Sequence, residues 1–286
     1  MKDFVKRILP AKFFTLFYPE KINILEERLK NLFIAHYADL GASNQKDNFK
    51  NSEFKVYSKH GGDGILAYIF SKIGVTNRTF VEMGIEDGRE CNTANLSRNF
   101  GWSGLMIDAN AKWVESAQKF YAGFKVKIVH SFVTAENINQ LITSNNISDE
   151  IDLLSIDIDG NDYWVWKAIN VINPRVVVLE YNSSFGHRSI AQKYNPEYRF
   201  TPHESPLYFG ASLTAMSKLS KEKGYILVAC DTHGHDAFFV RADIARDQFK
   251  EQKPEEAFYP NPYNLKKFGT IEEQFEQIKH LDFEEI

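Results

Sequence analysis

The sequence predicts an α/β fold built on a mostly parallel sheet with helices on both faces. Strand-like apolar runs alternate with helical patterns from Thr79 to Arg241. These runs are apolar along their length, which is typical of strands buried on both faces. A glycine loop containing Gly84 and Gly88 joins the first strand to a helix. Because ligands in such sheets bind at the carboxyl ends of strands, we expect the functional residues there.

Length and composition limit the classes of protein that fit. The 286 residues suffice for one large domain with appendages, and the 43% of hydrophobic residues supply a sizeable core. A net charge of −4 gives no basic field, so no nucleic-acid partner is expected. The distant Cys91 and Cys230 fit a reducing compartment. No apolar run is long enough to span a bilayer and no signal peptide is evident, so we expect a cytoplasmic location.

Residues 1–54 are predicted to form an N-terminal helical extension and a linker. Residues 1–19 mix aromatic and basic side chains, so this segment could contact a membrane surface peripherally. The alternative is packing on its own domain or on a second subunit, which would make the protein a homo-oligomer. Lys21–Tyr37 has apolar residues at helical spacing, and the polar stretch Gly41–Glu53 is typical of a linker.

A glycine-rich turn follows the linker and carries Ser58 and Asp63. It precedes a helix predicted at Ile65–Ile73. Asp63 would lie near the N-terminus of that helix, where a carboxylate is favoured. It is either a simple helix cap or a ligand for the molecule bound by the next loop.

The stretch from 79 to 110 predicts a strand, a glycine loop, a helix and a second strand. The loop runs from Glu82 to Gly88 with the pattern E-x-G-x-x-x-G. Glycines let the backbone approach a ligand, and a helix N-terminus offers unpaired N–H groups. Asp108 closes the second strand near the ~20-residue spacing expected of an acid that binds a ribose diol. The alternative is an ordinary strand–turn–helix that binds no nucleotide. The elements are predicted at Thr79–Met83, Cys91–Asn99 and Gly104–Ile107.

Strands and helices continue to alternate after Asp108, and a long loop at 183–209 then interrupts them. Such a loop is typical of a substrate wall or lid, and its Tyr194, Tyr198 and Tyr208 would offer faces and hydroxyls to a sugar. The charged tail, 242–286, shows no pattern that suggests chemistry. The remaining strands are predicted at Lys125–His130, Ile151–Ile158, Arg175–Tyr181, Tyr225–Cys230 and Ala237–Arg241, and the remaining helices at Ala111–Tyr121, Ala135–Ser144, Asp162–Val171, 211–223 and Ile271–His280.

Two strand ends carry oxygen ligands. Asp157 and Asp159 lie at the end of one strand, and Glu180 and Asn182 lie at the end of the next. If these strands are neighbours, their acids converge, and such ligands suit Mg²⁺, Mn²⁺ or Ca²⁺. A cation there would orient two sugar hydroxyls and lower the pKa of one. The alternative is that Asp159 and Asp162 cap the following helix.

His233 and His235 lie in the turn between the last two predicted strands. A histidine with a pKa near neutrality is a natural general base for a hydroxyl. His187 in the long loop is the rival candidate. Cys230 beside two histidines is only a weak zinc signal, since no second cysteine is nearby. The alternative is a surface turn without chemistry.

Together these residues resemble the FkbM-type group of S-adenosylmethionine-dependent methyltransferases, which act in polysaccharide and natural-product pathways. The resemblance covers roughly 55–241, and that range is the predicted methyltransferase domain. The stretches that carry it are YSKHGGDGI at 57–65, VEMGIEDGRECNT at 81–93, LLSIDIDGNDYWVWKAI at 153–169 and LEYNSSFG at 179–186.

The resemblance implies a Rossmann-like methyltransferase fold with a seven-stranded sheet, S-adenosylmethionine as cofactor, and methyl transfer to oxygen. Asp157 maps onto the acid that ends the fourth strand. Lys59 and Gly62 stand where relatives often have Gln and Glu, which puts cofactor contacts by these two in doubt. The expected cofactor-binding residues are Ser58, Asp63, Glu82, Gly84, Gly88, Asn92, Asp108 and Ala109.

The leading hypothesis is an O-methyltransferase for a sugar hydroxyl in surface-glycan biosynthesis. Its catalytic residues would be Asp157 with His233 or His235, and Asp157, Glu180 and Asn182 would bind Mg²⁺ or Mn²⁺. The alternative is an inactive Rossmann-like module that binds a nucleotide or glycan. A nicotinamide-dependent dehydrogenase is disfavoured because the loop lacks a third glycine, and the fold alone decides among none of these.

Overall fold

The computed structural model describes residues 19–43, 49–200 and 205–286. The chain divides into two compact units, 1–43 and 44–286. Helix α1 (Pro19–Ala42) belongs to the first unit and confirms the helix predicted there. None of the helices in the described part has the length and apolarity needed to span a bilayer. The predicted membrane contact falls almost entirely on residues 1–18, outside the described residues.

The second unit is built on a seven-stranded sheet. In chain order its strands are β1 (Thr79–Met83), β2 (Ser103–Asp108), β3 (Val126–His130), β4 (Asp149–Ile156), β5 (Ile172–Glu180), β7 (Tyr225–Cys230) and β8 (Asp236–Arg241). The spatial order is β3-β2-β1-β4-β5-β8-β7, and only β8 runs antiparallel to its neighbours. This is the mostly parallel sheet of the Rossmann-like methyltransferase fold, so the predicted fold class is confirmed.

Helices lie between the strands as predicted, with shifted ends. The helix predicted at Asp162–Val171 ends at Ala168, because the backbone of Ile169 is already extended, with φ −63° and ψ 121°. Strand β4 ends at Ile156, so Asp157 begins the loop that follows it. The helices of this unit are α2 (Gly62–Ile73), α3 (Ala94–Phe100), α4 (Ala111–Phe120), α5 (Ile138–Thr143), α6 (Asp162–Ala168), α7 (Leu213–Glu222), α8 (Ala242–Ala245), α9 (Pro254–Ala257), α10 (Pro262–Phe268) and α11 (Ile271–Ile278).

Both faces of the sheet are buried. On one face, side chains such as Val81 and Val177 pack with α5, α6 and α7 in a single apolar cluster that includes Trp166. Their neighbours in the same strands, Phe80 and Val176, point to the other face and are equally buried. Uninterrupted apolar strands are what a sheet covered on both faces requires.

The register of the central strands aligns their carboxyl ends. Met83 of β1 pairs with Ile156 of β4, and Ile156 pairs with Leu179 of β5. Strand β8 runs the other way, so its first residue, Asp236, pairs with Glu180 at the end of β5. The loops after β1, β4 and β5 and the turn before β8 therefore meet at one edge of the sheet.

A buried ion pair secures the start of the central strands. The Asp152 carboxylate in β4 lies 2.8 Å from Nη1 of Arg175 in β5. It also accepts hydrogen bonds from the backbone N–H groups of 76–78, at 2.6 to 3.1 Å, in the turn before β1. The pair therefore joins three chain segments at the edge opposite the strand ends that carry the acids.

The long loop and the tail share a second, smaller sheet. Within 183–209 the chain forms a short 3₁₀ helix, Ser183–Phe185, and a strand, β6 (Ile190–Gln192). Strand β6 pairs antiparallel with β9 (Phe283–Glu285) near the end of the tail. The tail thus lies against the loop that was predicted to form a substrate wall.

Candidate active site

A pocket opens at the carboxyl ends of β1, β2 and β4. Gly84, Asp108 and Ala109 line it from the predicted cofactor side, and Asp157 and Asp159 line it from the predicted acidic side. The structure therefore brings the glycine loop and the first acidic strand end into one cavity.

The two glycines of the loop have different surroundings. Gly84 has φ +76°, and a Cβ there would lie 1.6 Å from the carbonyl oxygen of Asp157. Only glycine fits between the two strand ends, since both the conformation and the approach exclude a side chain. Gly88 has φ +79°, and a Cβ there would lie 2.8 Å from the ring of Tyr121. Its role is packing against that ring.

Asp108 closes β2 and holds the loops around it. Its Oδ2 accepts a hydrogen bond from the backbone N–H of Glu86 at 2.8 Å, and its Oδ1 accepts one from Asn110 at 2.7 Å. The first bond holds Glu86 in the left-handed region, at φ 49°. Each carboxylate oxygen retains a lone pair for a ligand, and burial raises the pKa of the carboxyl.

Glu82 and Asn92 brace the loop from behind. The buried Glu82 carboxylate accepts hydrogen bonds from the backbone N–H groups of Asn92 at 2.8 Å and Thr93 at 3.1 Å, and from the Thr93 hydroxyl. Burial raises the pKa of Glu82 to about 7, although these hydrogen bonds act to lower it. The Asn92 amide donates to Ser155 at 3.2 Å and to Asp236 at 3.3 Å. Both predicted cofactor ligands are thus bound to the protein itself.

Ser58 and Asp63 form a clasp within the glycine-rich turn. One oxygen of Asp63 accepts the backbone N–H groups of 56–58 at 2.6 to 2.8 Å, and the Ser58 hydroxyl accepts the N–H of Asp63 at 3.0 Å. Asp63 is not the helix cap, because α2 begins at Gly62 and Gly61 is the capping residue. Both side chains are buried, so the clasp shapes the turn that carries Lys59 and His60.

Lys59, which sequence reasoning placed in doubt, lines the pocket. Burial alone would lower the pKa of its ammonium, but Asp157, Glu180 and Asp159 outweigh burial and raise it. A cation therefore faces the acids across the cavity. The signal was its place beside Ser58 in the matched turn, where a basic residue replaces the expected Gln.

Three side chains form a compact donor cluster beside the pocket. The ligand atoms of Asp157, Glu180 and His235 lie within 4.8 Å of one another. Nε2 of His235 lies 3.0 Å from Oε1 of Glu180, and Nδ1 lies 3.5 Å from Oδ1 of Asp236. His235 was predicted as a base, and the structure places it among the predicted metal ligands.

Glu180 is the most constrained acid of the cluster. Its Oε2 is buried and has no hydrogen-bond partner among the described residues. Burial, and then the neighbouring Asp157 and Asp159, raise the pKa of Glu180 well above its ordinary value. Ionised carboxylates only accept hydrogen bonds, so a proton or a cation at this cluster would relieve the repulsion between them.

Asn182 does not join this cluster. Its amide nitrogen donates to the carbonyls of Leu207 and Phe209, both at 2.9 Å, and its oxygen accepts from the N–H of Ser184 at 2.9 Å. The side chain caps the 3₁₀ helix and anchors the long loop. Asn182 was predicted as a metal ligand, but its side chain is engaged elsewhere. The third residue of the cluster is His235, which directly precedes the antiparallel strand β8 and comes from a distant part of the sequence.

The loop after β4 is shaped by its own acids. Asp159 lies in the left-handed region with φ 52°, and burial next to Asp157 raises its pKa to about 7. Asp162 accepts hydrogen bonds from the N–H groups of Ile158 at 2.8 Å and Gly160 at 2.9 Å. Asn161, not Asp162, occupies the N-cap position of α6. The predicted cap is instead a brace for the strained loop.

The histidines have different environments. Burial alone would lower the pKa of His235, but Asp236 and Asp157 outweigh it and raise the pKa to about 9. His233 is exposed and stacks on His60 at 4.5 Å between ring centroids. Burial and the two other histidines lower the pKa of His60 to about 4. His187, the rival base, packs instead on Phe258 at 4.9 Å.

Aromatic side chains complete the pocket. Trp113 and Phe132 line it, and neither was singled out from the sequence. Tyr198 of the long loop also lines it. A Cβ at Gly160 would lie 2.6 Å from the Tyr198 ring, so the ring rests directly on the acidic loop. The guanidinium of Arg199 lies 3.3 Å from the centroid of the Phe132 ring.

Comparison with known proteins finds similarity to solved structures alone. No family model and no curated protein matches the chain. A S-adenosylmethionine-dependent methyltransferase from Clostridium acetobutylicum is similar, with 11% identity, 60% of this chain and 86% of that chain covered, and a TM-score of 0.39. An O-methyltransferase from Bacillus cereus in complex with SAH has 17% identity, coverage of 72% and 88%, and a TM-score of 0.42.

A methyltransferase from Aquifex aeolicus has 13% identity, coverage of 61% of this chain and 87% of that chain, and a TM-score of 0.36. Identities and TM-scores this low carry no argument about the ligand or the reaction.

Proposed function

We propose that this protein is an S-adenosylmethionine-dependent O-methyltransferase that acts on a sugar hydroxyl in surface-glycan or related polysaccharide biosynthesis. One observation carries the proposal: a single pocket joins a glycine loop and a strand-end acid, Gly84 and Asp108, to a cluster of oxygen donors at Asp157. Methyl transfer needs a place to hold the donor beside groups that align the acceptor oxygen and remove its proton.

The pocket residues fit S-adenosylmethionine. Gly84 leaves bare backbone at the wall, because a Cβ there would collide with the carbonyl of Asp157. Asp108 retains lone pairs for a ribose diol, and Trp113 and Phe132 offer aromatic faces to a base. When bound, the cofactor supplies an electrophilic methyl group on a sulfonium. The chain would hold the methyl donor at the strand ends, and the acids that would orient the sugar hydroxyl lie at the same cavity.

We extend the proposal to a divalent cation, Mg²⁺ or Mn²⁺, held by Asp157, Glu180 and His235. The buried Oε2 of Glu180 lacks a partner among the described residues, and a cation would supply one. Asp236 lies behind His235, as carboxylates lie behind histidines that bind metals. When bound, the cation would lower the pKa of an acceptor hydroxyl. The alternative is that the acids accept hydrogen bonds from the sugar directly.

The proposed base is His233. Both ring nitrogens of His235 face carboxylates, Glu180 and Asp236, so that ring has no nitrogen left for the proton of a substrate. The ring of His233 is exposed and stacks on His60, whose centroid lies 5.2 Å from that of His235. His233 therefore adjoins the cluster without being part of it.

Isothermal titration with S-adenosylmethionine, S-adenosylhomocysteine and NAD⁺ tests the cofactor. The first two are expected to bind and NAD⁺ is not; tight binding of NAD⁺ alone would favour a dehydrogenase. Transfer of a radiolabelled methyl group to defined sugars tests the reaction. Cofactor binding with no transfer to any sugar would favour the inactive binding module.

Manganese binding, followed by electron paramagnetic resonance, tests the metal site. Glu180→Gln is expected to weaken Mn²⁺ binding at least tenfold, because an acidic ligand becomes a neutral amide. Asp159→Asn, in the same acidic loop but outside the three-residue cluster, is the control and is expected to retain binding. If the unaltered protein binds no Mn²⁺ and stays fully active after exhaustive treatment with EDTA, the direct hydrogen-bond alternative replaces the cation.

A further inference from the structure

A groove lies between the long loop and the C-terminal tail, on the far side of Tyr198 from the pocket. Its volume is about 620 Å³, within the ~300–1,000 Å³ of small-ligand sites. The loop contributes one wall, with Gln192–Asn195, Tyr198, Ser205, Pro206 and Tyr208. The tail contributes the other, with Gln277 and His280–Asp282. The tail thus contributes to a cavity, although its sequence suggested no chemistry.

Gln192 is an unpartnered polar group in this groove. The residue is 1% exposed and lines the groove, and its Oε1 has no hydrogen-bond partner among the described residues. Its backbone is fixed on both sides, since its N–H donates to the Gly210 carbonyl at 2.8 Å and its own carbonyl accepts from Trp164 Nε1 at 2.8 Å. A buried acceptor without a partner destabilises the protein until a ligand donates a hydrogen bond to it.

The other groove residues suit a neutral polyhydroxylated ligand. Tyr194 and Tyr208 offer half-buried aromatic rings. Asn195 offers its amide nitrogen, since its oxygen already accepts the N–H of Glu197 at 2.9 Å, and Gln277 offers its amide oxygen, since its nitrogen already donates to the carbonyl of Glu273 at 3.1 Å. Lys193 on the loop and Asp282 on the tail both line the groove, and their formal charges cancel. Aromatic faces combined with one amide donor and one amide acceptor match the faces and hydroxyls of a sugar ring.

Tyr198 connects the groove to the pocket. Its side chain lines both cavities, its ring rests on Gly160, and its hydroxyl donates to the carbonyl of Tyr208 at 2.7 Å. The hydroxyl of Tyr208 in turn donates to the carbonyl of Asp282 in the tail. The partition is therefore held from the acidic loop on one side and from the tail on the other.

We propose that this groove is a second sugar subsite, so that the acceptor is an oligosaccharide or glycan rather than a free monosaccharide. This inference rests on the proposed function, because it takes the pocket as the place where the sugar hydroxyl reacts. The unit to be methylated occupies the pocket beside Asp157, and the next unit passes Tyr198 and lies in the groove. Gln192 accepts a hydrogen bond from a hydroxyl of that second unit.

The test measures binding to an array of defined mono-, di- and trisaccharides by the full-length protein saturated with S-adenosylhomocysteine. At least one extended glycan is expected to bind about tenfold more tightly than its terminal monosaccharide. Gln192→Met and Gln277→Ala are each expected to remove that gain. Gln118→Ala, which alters an exposed glutamine on α4, is the control and is expected to keep it.

The subsite is overturned if no extended glycan binds more tightly than its monosaccharide, or if Gln277→Ala leaves the gain intact in a folded protein. Should Gln192→Met fail to fold, Gln277→Ala decides the result. Methyl transfer is measured on the same glycans. Extended glycans that bind through Gln192 without being methylated would support the groove and refute the proposed reaction. Equal methylation of monosaccharides and extended glycans would support the proposed reaction and refute the groove as a sugar subsite.

Discussion

Replacing Asp108 with Asn is the sharpest test of the proposed cofactor site. Each carboxylate oxygen already accepts one backbone N–H, from Glu86 at 2.8 Å or Asn110 at 2.7 Å, and keeps one lone pair for a ribose hydroxyl. Asn keeps one oxygen, so one charge-assisted bond to the diol is lost and the other is weakened. A hydrogen bond to a charged group contributes roughly 1.5–3 kcal/mol. S-adenosylhomocysteine is therefore expected to bind roughly tenfold to 150-fold more weakly.

The measurement is isothermal titration, with Asp87→Asn as the control. Asp87 lies in the same loop, but its carboxylate pairs with Arg89 at the surface, so affinity is expected to stay unchanged. Adding Glu86→Gly to Asp108→Asn separates a lost ligand contact from a distorted loop, because glycine adopts φ 49° without strain. Restored affinity in that double variant would assign the loss to the loop. An affinity within about twofold of the unaltered protein in Asp108→Asn would refute the ribose assignment.

Three further predictions concern catalysis, the loop and stability. Asp157→Asn is expected to reduce turnover while S-adenosylhomocysteine affinity persists, because Gly84 packs on the main-chain carbonyl of Asp157; equal losses of both would contradict this. Trypsin cleavage after the exposed Arg199 is expected to slow when cofactor and acceptor are bound; an unchanged rate would exclude the long loop as a substrate cover. Arg175→Met is expected to lower the free energy of unfolding, measured in urea, by about 3–5 kcal/mol, because it leaves the buried Asp152 carboxylate without its ion-pair partner. Lys221→Met removes an exposed ion pair and is expected to cost under about 1 kcal/mol. Similar losses in the two variants would contradict the prediction. Burial alone would raise the pKa of Asp152, but Arg175 and the N–H groups of the turn outweigh burial and lower the pKa. The ionised Asp152 therefore stabilises the fold fully above the ordinary pKa of ~3.9, and this contribution disappears as the pH falls through the lowered pKa.

Much of the fold was predictable because its strands are locally distinctive. Thr79–Met83 was predicted with the bounds that the structure has, and most helices were placed to within a few residues. The errors fall at ends set by packing. Strand β4 ends at Ile156 because the chain then turns sharply through the left-handed Asp159, and hydrophobicity alone does not reveal that turn.

The candidate site was predictable in its parts but not in its assembly. Acids at strand ends stand out because a buried strand has no need of them, so Asp108, Asp157 and Glu180 were identified from the sequence. The side chains and backbone groups that contact these acids were not identified. Glu82 was expected to face the cofactor, yet it satisfies the N–H groups at the start of its own loop. A pattern cannot tell a ligand from a brace, since both roles favour a buried carboxylate.

The sequence by itself determined the α/β architecture, the glycine loop and the acids that end the central strands, because these depend on local periodicity and on residues near one another in the chain. The tertiary structure alone decided which side chains meet. The antiparallel pairing of Glu180 with Asp236 brings His235 into the acidic cluster, and a tail without a recognisable motif becomes a wall of the groove beside Tyr198. Such contacts join segments far apart in sequence, and strand order and register, rather than local pattern, fix them.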